Sequence, residues 1–419
     1  MESAPHLKLA ALAIAGQGLS YALGVLLARR LSVEGFEAYA VASAAFVVMV
    51  TVATRGLDKF TLRIVPQLIE RRDWARARGF VLFGVRSTLS ASLITGVIVS
   101  LAAWWVGSSV SRGSLLAIWV SALSLPAGAV VHFLMEVMTA VGLGVRATVI
   151  FRVTVPALAF TFAAVLVARF GDVGGAAAVA CWGVAWVVGL IAMVRTFRWA
   201  ASPELRRSEP LEQATGWKAD ALPFWLYRIL SGLTGYAGVI ALDRLQSSAA
   251  AVGAYAASAG TVVLATVLVT ATNRFYSRRL SLLIERRDPG AMRALHRERL
   301  QWLLPTILLL LVIAFLFTRQ LLALFRPEFV DDGLITLRLL AATTAITMLL
   351  ALAPTYLKFR QRDRMTFVTL ACAATVQLIL LVLLVPRLGA TGAALAYAVS
   401  AIGRYATFAL VAKRDLTRL

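Results

Sequence analysis

The sequence predicts an all-α polytopic membrane protein, with twelve transmembrane helices in two six-helix bundles related by a parallel pseudo-twofold repeat. Three observations predict it. The 419-residue chain is 60% hydrophobic with a mean hydropathy of +0.81, too apolar for a water-soluble domain of that length. Its apolar residues gather into runs near the length of about 20 residues that crosses the hydrocarbon core as a helix. Finally, Leu68-Ile69-Glu70-Arg71-Arg72-Asp73 returns unchanged as Leu283-Ile284-Glu285-Arg286-Arg287-Asp288, and each copy closes a long apolar stretch.

In chain order, the first half is expected to span at 7–28, 38–58, 79–106, 114–139, 147–168 and 174–197. The run after Lys8 lacks a basic leader and is long enough to cross, so it reads as a retained helix rather than a signal peptide. The second span ends in Arg55, Asp58 and Lys59; the third carries Arg86; the fourth carries His132 and Glu136. The fifth contains Arg152 near its start, and the sixth opens on Gly174, Gly175 and Ala176, small residues that let helices approach closely. The second half is expected to span at 221–242, 249–272, 299–323, 333–356, 365–386 and 390–411. Its seventh, tenth and twelfth spans carry Arg228, Arg338 and Arg404. Prolines at Pro126, Pro156, Pro223, Pro305 and Pro354 read as kinks packed against neighbouring helices, or as hinges.

The duplication extends beyond the hexapeptide. Asp58, Lys59, Phe60 and Arg63 stand against Asn273, Arg274, Phe275 and Arg278, and Arg169, Gly171 and Gly174 stand against Arg387, Gly389 and Gly392. Gly18 and Gly24 stand against Gly232 and Gly238. Each half holds an even number of spans, so both run in the same direction. The organisation expected is an N-terminal bundle at 1–198, a linker at 199–220 with Pro203 and Pro210, and a C-terminal bundle at 221–419.

A net charge of +21 would suggest nucleic acid in a soluble protein, but its placement assigns it otherwise. Most Lys and Arg fall in the connections on the side holding both termini, which the positive-inside rule makes cytoplasmic. Anionic membrane lipids are then the natural counter-charge. Nucleic acid is set aside as a partner. Cys181 and Cys372 lie in apolar segments at non-equivalent places, so neither a disulfide framework nor a metal site is expected.

A charge in mid-bilayer costs at least about 2.5 kcal/mol, which makes ionisable residues within spans functional candidates. Cations dominate the set here, and guanidinium groups suit bidentate phosphate binding. Arg228 is the leading substrate-binding candidate, with no acidic residue one turn away; the alternative is that it snorkels to headgroups or pairs with another helix. Arg55, Lys59 and the equivalent Arg274 form a basic rim or, in the plainer reading, anchor the inner leaflet; Asp58 sits at helical spacing from Arg55 and Lys59. His132 and Glu136, one turn apart, suit ion coupling or an ion pair with Arg86. Arg29, Arg30, Asp243 and Arg244 occupy equivalent span ends and read as an outer gate or as interfacial anchors. No catalytic serine motif, Gly-rich phosphate loop or carboxylate pair supports an enzyme, and no cofactor is expected.

Leu242-Asp243-Arg244-Leu245 followed by Val252-Gly253-Ala254-Tyr255-Ala256 resembles the junction between helices seven and eight of bacterial polysaccharide-biosynthesis flippases. Ala28-Arg29-Arg30-Leu31 leading into Glu37-Ala38-Tyr39-Ala40 is similar, as are Gly171 to Ala177 and their echo Gly389 to Ala394. That family belongs to the superfamily of multidrug, oligosaccharidyl-lipid and polysaccharide exporters. The resemblance implies a flippase of the bacterial inner membrane that carries undecaprenyl-pyrophosphate-linked oligosaccharide from the cytoplasmic to the periplasmic leaflet by alternating access. Its partners would be the lipid-linked oligosaccharide, membrane lipids and a polysaccharide polymerase machinery. Twelve spans fit this branch better than lipid II flippases, which tend to carry two more. The first span lacks the acidic residue that many drug exporters of the superfamily use, which leaves a multidrug exporter as the second expectation. A polymerase or ligase, the third, would need a sizeable outer loop that the sequence lacks.

Overall fold

The computed structural model describes residues 4–105, 112–171, 173–245, 248–285, 288–360 and 362–416, without the side chains of 4–10, 214, 268–275, 277–279, 281, 282, 285, 289, 302, 363 and 416. Among the described residues every regular element is a helix. In order these are α1 (Ala4–Arg30), α2 (Val33–Ala53), α3 (Leu57–Glu70), α4 (Trp74–Trp105), α5 (Arg112–Ala140) and α6 (Gly144–Thr148). A π-helical turn (Val149–Thr154) then leads into α7 (Val155–Phe170), α8 (Gly175–Ala200), α9 (Pro203–Arg207) and α10 (Ala214–Leu245). Next come α11 (Ala249–Glu285), α12 (Pro289–Leu316), α13 (Thr318–Phe325), α14 (Val330–Leu350), α15 (Ala353–Phe359) and α16 (Asp363–Leu416).

Among the described residues ten stretches are long and apolar enough to cross a membrane. One of them, within α16, is two helices joined at Gly389, whose φ of 55° and ψ of −132° are not helical. Adding α10, more polar but 32 residues long, gives the twelve spans expected. Exposed Leu93, Ile94, Val97, Ile98 and Leu101 on α4, and Leu308, Leu309, Leu316, Val382 and Leu383 on α12 and α16, would face solvent at prohibitive cost in water, and lipid removes that cost.

The chain packs as two compact units, Met1–Tyr236 and Ala237–Leu419, with α10 beginning in the first and ending in the second. In the first, α5 is central and packs on α8, α2, α4 and α3. Small residues set how closely: Phe46 lies where a Cβ on Gly128 would be, and Phe133 where one on Gly84 would be. Phe60, Phe80 and Trp217 stack edge to face, with Phe60–Phe80 and Phe80–Trp217 centroids 5.8 Å and 5.2 Å apart. In the second unit, α14 packs on α16, α11 and α12.

The repeat is legible in the turns. Gly171 and Gly389, equivalent in the sequence, both take positive φ (73° and 55°), a conformation an L side chain resists. The duplicated hexapeptide is a helix stop followed by a helix start. Asp73 N donates to Leu68 O (2.9 Å) and Arg72 N to Ile69 O (2.9 Å) with Arg72 left-handed (φ 56°), which closes α3 as a Schellman motif. Asp73 Oδ1 then accepts from Arg76 N (3.1 Å) and opens α4. In the second copy Asp288 N donates to Leu283 O (3.3 Å) and Asp288 Oδ1 accepts from Ala291 N (2.9 Å) to open α12; Arg286 and Arg287 lie outside the described residues.

Several expected boundaries move. The second span ends at Ala53, and 57–70 forms a separate amphipathic helix that buries Leu57, Asp58, Phe60, Thr61, Val65 and Leu68. The ninth ends at Leu316, beyond which α13 is a separate short amphipathic helix that buries Thr318, Leu322 and Phe325. The connection near 199–220 is not free chain. Leu205 is buried beside Leu68 and Ala77, Leu211 N donates to Ala75 O (3.0 Å), Arg78 Nη1 donates to Ser208 O (2.6 Å), and α10 already starts at Ala214.

Candidate functional site

The site begins at a break in the backbone. After Ala53, Arg55 (φ 49°) and Gly56 (φ 72°) both adopt left-handed conformations, and the chain becomes helical again at Leu57, the start of α3. A left-handed non-glycine residue costs roughly 1–2 kcal/mol, so the surroundings must enforce it. They do so through α10: a Cβ on Gly56 would lie 2.6 Å from Ala221 O and 2.9 Å from Trp225 Cα. Trp225 Nε1 also donates to Val52 O (3.1 Å), a carbonyl in the last turn of α2 that accepts from Arg55 N (3.3 Å) as well.

This packing fixes the first turn of α3, where adjacent residues of opposite sign reach two different helices. Asp58 Oδ2 lies 2.8 Å from Arg228 Nη1 on α10, and Lys59 Nζ pairs with Glu136 Oε1 on α5. Asp58 is 2% exposed and Arg228 25%, so the carboxylate is enclosed while the guanidinium keeps an open side. Burial opposes the charge on Asp58, and the Arg228 and Lys59 cations offset that cost. Asp58 Oδ1 is buried and takes no second bond from Arg228, so the compensation is incomplete.

One turn along α5 from Glu136, His132 Nδ1 lies 2.8 Å from Gly128 O. Its ring sits among aromatics: Phe151 is edge-on at 4.7 Å and Trp186 at 5.2 Å, and Trp186 is followed by Trp182 (5.8 Å) and Phe46 (6.0 Å). Phe151 and Arg152 belong to the π-helical turn, with the Arg152 guanidinium over the Phe151 ring at 5.4 Å. Gly16 of α1 packs directly on that turn, where a Cβ would overlap Arg152 O.

The sequence-predicted residues separate accordingly. Arg228, Lys59, His132 and Glu136 come together in the first unit, with Arg55 in the adjoining turn. Arg228 is not short of an internal anion as the sequence suggested, because Asp58 supplies it. The break at Gly56 separates Arg55 from Asp58, while the charge of neighbouring Lys59 helps to offset that of Asp58 even as its ammonium pairs with Glu136. Arg86 does not join Glu136 or His132; it pairs with Glu212 at 2.8 Å on the exposed side of α4. The side chain of Arg274 on α11 lies outside the described residues. Arg29 and Arg30 end α1 in the first unit; Asp243 and Arg244 end α10 in the second, 3.3 Å from each other. Arg338 has a structural role: its Nη2 and Nε donate to Phe315 O and Thr318 Oγ1 (3.2 Å each), capping the end of α12. Arg299 is fully buried and donates from Nη2 to Met348 O (3.1 Å), the same device at the end of α14. Among the described residues no three His, Cys, Asp or Glu side chains come together as a metal ion would require.

No protein-family model and no curated protein matches the chain. Solved structures do. An inward-facing multidrug resistance MATE family transporter of the MOP superfamily superposes with a TM-score of 0.76 at 15% identity, over 97% of this chain and 95% of that one. The eukaryotic MATE transporter AtDTX14 gives 0.71 at 13% identity over 99% and 96%, and a MOP superfamily transporter from Pyrococcus furiosus gives 0.69 at 15% over 98% and 95%. Coverage is nearly complete on both sides, so the whole chain shares this fold; at such identities the likeness is one of fold.

Proposed function

We propose that the protein is a membrane transporter that moves a lipid-linked oligosaccharide, its diphosphate held by Arg228 and Lys59, from the cytoplasmic to the periplasmic leaflet of a bacterial inner membrane for surface polysaccharide synthesis. The observation that carries this reading is the pair of cations beside the break at Gly56: each keeps an exposed face while its carboxylate lies behind it. Two cations on adjacent helices suit a diphosphate, whose charge is concentrated and whose oxygens accept from both. The fold shared with transporters and the sequence resemblance to polysaccharide flippases support the same class. Within this proposal Arg55 in the first unit and Arg274 in the second serve as basic rim residues, each of its own unit, His132 with Glu136 serves ion coupling, and Arg29 and Arg30 in the first unit and Asp243 and Arg244 in the second serve as outer-gate residues. Lipid-linked oligosaccharide, membrane lipids and a polysaccharide polymerase are the partners it implies.

A second reading, a multidrug exporter, draws on the aromatic group of Phe46, Phe151, Trp182 and Trp186, which is suited to flat organic cations. The two separate in proteoliposomes. A diphosphate-linked oligosaccharide is expected to cross in the presence of the protein, and Arg228→Lys, which keeps a cation against Asp58 but loses the fork, is expected to slow it about tenfold or more. Transport of a cationic dye with no movement of the diphosphate lipid would replace the first reading by the second.

A further inference from the structure

We propose that Asp58 and Glu136 are internal counter-anions, which a phosphate-bearing ligand displaces from Arg228 and Lys59. The inference rests on the anion-binding reading of those two cations and adds what the empty protein does with them.

Consecutive side chains of opposite sign, Asp58 and Lys59, leave one turn of α3 for opposite charges on α10 and α5. The backbone beneath them is fixed, since the α10 main chain rests on Gly56 and Trp225 is tied to Val52 O. The two pairs are therefore built into the fold, not chance encounters of long side chains. The carboxylates lie behind the cations: side-chain exposures are 2% for Asp58 against 25% for Arg228, and 17% for Glu136 against 39% for Lys59. A ligand arriving from the open side meets the cations first.

The Asp58 pair is also unsaturated. A guanidinium and a carboxylate can form two parallel hydrogen bonds, yet here Oδ2 faces Nη1 while the buried Oδ1 takes no second bond from Arg228. A diphosphate offers more charge and more acceptor oxygens than a half-used carboxylate, so exchange can favour it. The carboxylates hold the cations in place when no ligand is present and compete with the ligand when it arrives. They thereby set its affinity and keep weaker, singly charged anions out.

The test uses full-length protein in detergent, titrated with inorganic pyrophosphate by calorimetry at constant ionic strength. Asp58→Asn and Glu136→Gln, which keep shape but remove charge, should each bind about tenfold tighter than the wild type, the equivalent of one charge-assisted hydrogen bond that no longer competes. Glu212→Gln removes a carboxylate whose partner is the exposed Arg86, and should leave the affinity unchanged. Equal affinity in wild type, Asp58→Asn and Glu136→Gln would overturn the counter-anion role while leaving the anion site standing, and so would an equal gain in Glu212→Gln, which would show a general charge effect. If none of the variants binds pyrophosphate while all elute as folded protein, the anion-binding reading fails and this inference fails with it.

Discussion

Removing the two members of the Asp58–Arg228 pair should cost the protein very different amounts. At 2.8 Å and an effective dielectric constant of about 20, the gross attraction is about 6 kcal/mol, most of it offset by the desolvation of both groups. What each substitution leaves behind decides the outcome. Arg228→Ala leaves a carboxylate that is 2% exposed and has lost its paired guanidinium, for which the expected loss is about 3–5 kcal/mol. Asp58→Asn leaves a guanidinium that is 25% exposed, reaches water, and still finds an amide oxygen to donate to, for which the expected loss is about 1 kcal/mol. In the double variant Asp58→Asn with Arg228→Ala the buried charge is gone, so much of the Arg228→Ala loss should be recovered. Thermal unfolding in detergent, followed by the loss of monodisperse protein on size exclusion, reads this as a midpoint drop on the order of 10 °C for Arg228→Ala and a few degrees for Asp58→Asn. Equal drops, or a double variant no better than Arg228→Ala, would refute the argument that Asp58 is an enclosed charge held by Arg228.

Gly56→Ala must place a methyl group against Ala221 and Trp225 in a left-handed conformation, so a loss above about 2 kcal/mol is expected in the same thermal assay, whereas Gly113→Ala, with open space around it, should change little. Trp186→Ala removes a ring that contacts His132, Phe151, Trp182 and Phe46 and should cost about 3–5 kcal/mol, seen as a lower midpoint with the secondary structure retained by circular dichroism. Asp73→Ala and Asp288→Ala each delete an N-cap at the repeated helix start and should cost about 1 kcal/mol apiece, additively in the double variant because the residues lie in different units. A cost confined to one of them would deny the shared role of the two hexapeptides.

Much of the site was nearly readable from the duplication. The alignment that sets Gly18 against Gly232 sets Ile14 against Arg228, and Asn273 stands against Asp58, so both members of the pair have neutral counterparts in the other copy. That joint loss is the signal that they belong together. In sequence Asp58 has Arg55 and Lys59 within one turn, and local spacing is a persuasive but weak guide to ion pairing. Arg86 misled for the same reason: its depth in a span suggested an inward partner, while the folded linker brings Glu212 to its exposed side. The aromatic group around His132 had only the spacing of Trp182 and Trp186 to announce it, because the other rings come from α2 and from the π-helical turn.

By itself the sequence determined the fold class, the number and order of the spans and the duplication, because membrane insertion and helix length depend on local composition and the repeat is written in the residues. Only the tertiary structure decided where the second span breaks, which carboxylate each cation meets, and that Arg338 and Arg299 cap helices. Those outcomes depend on the approach of helices far apart in the chain, and on a missing Cβ at Gly56 that lets α10 settle where it brings Arg228 to Asp58.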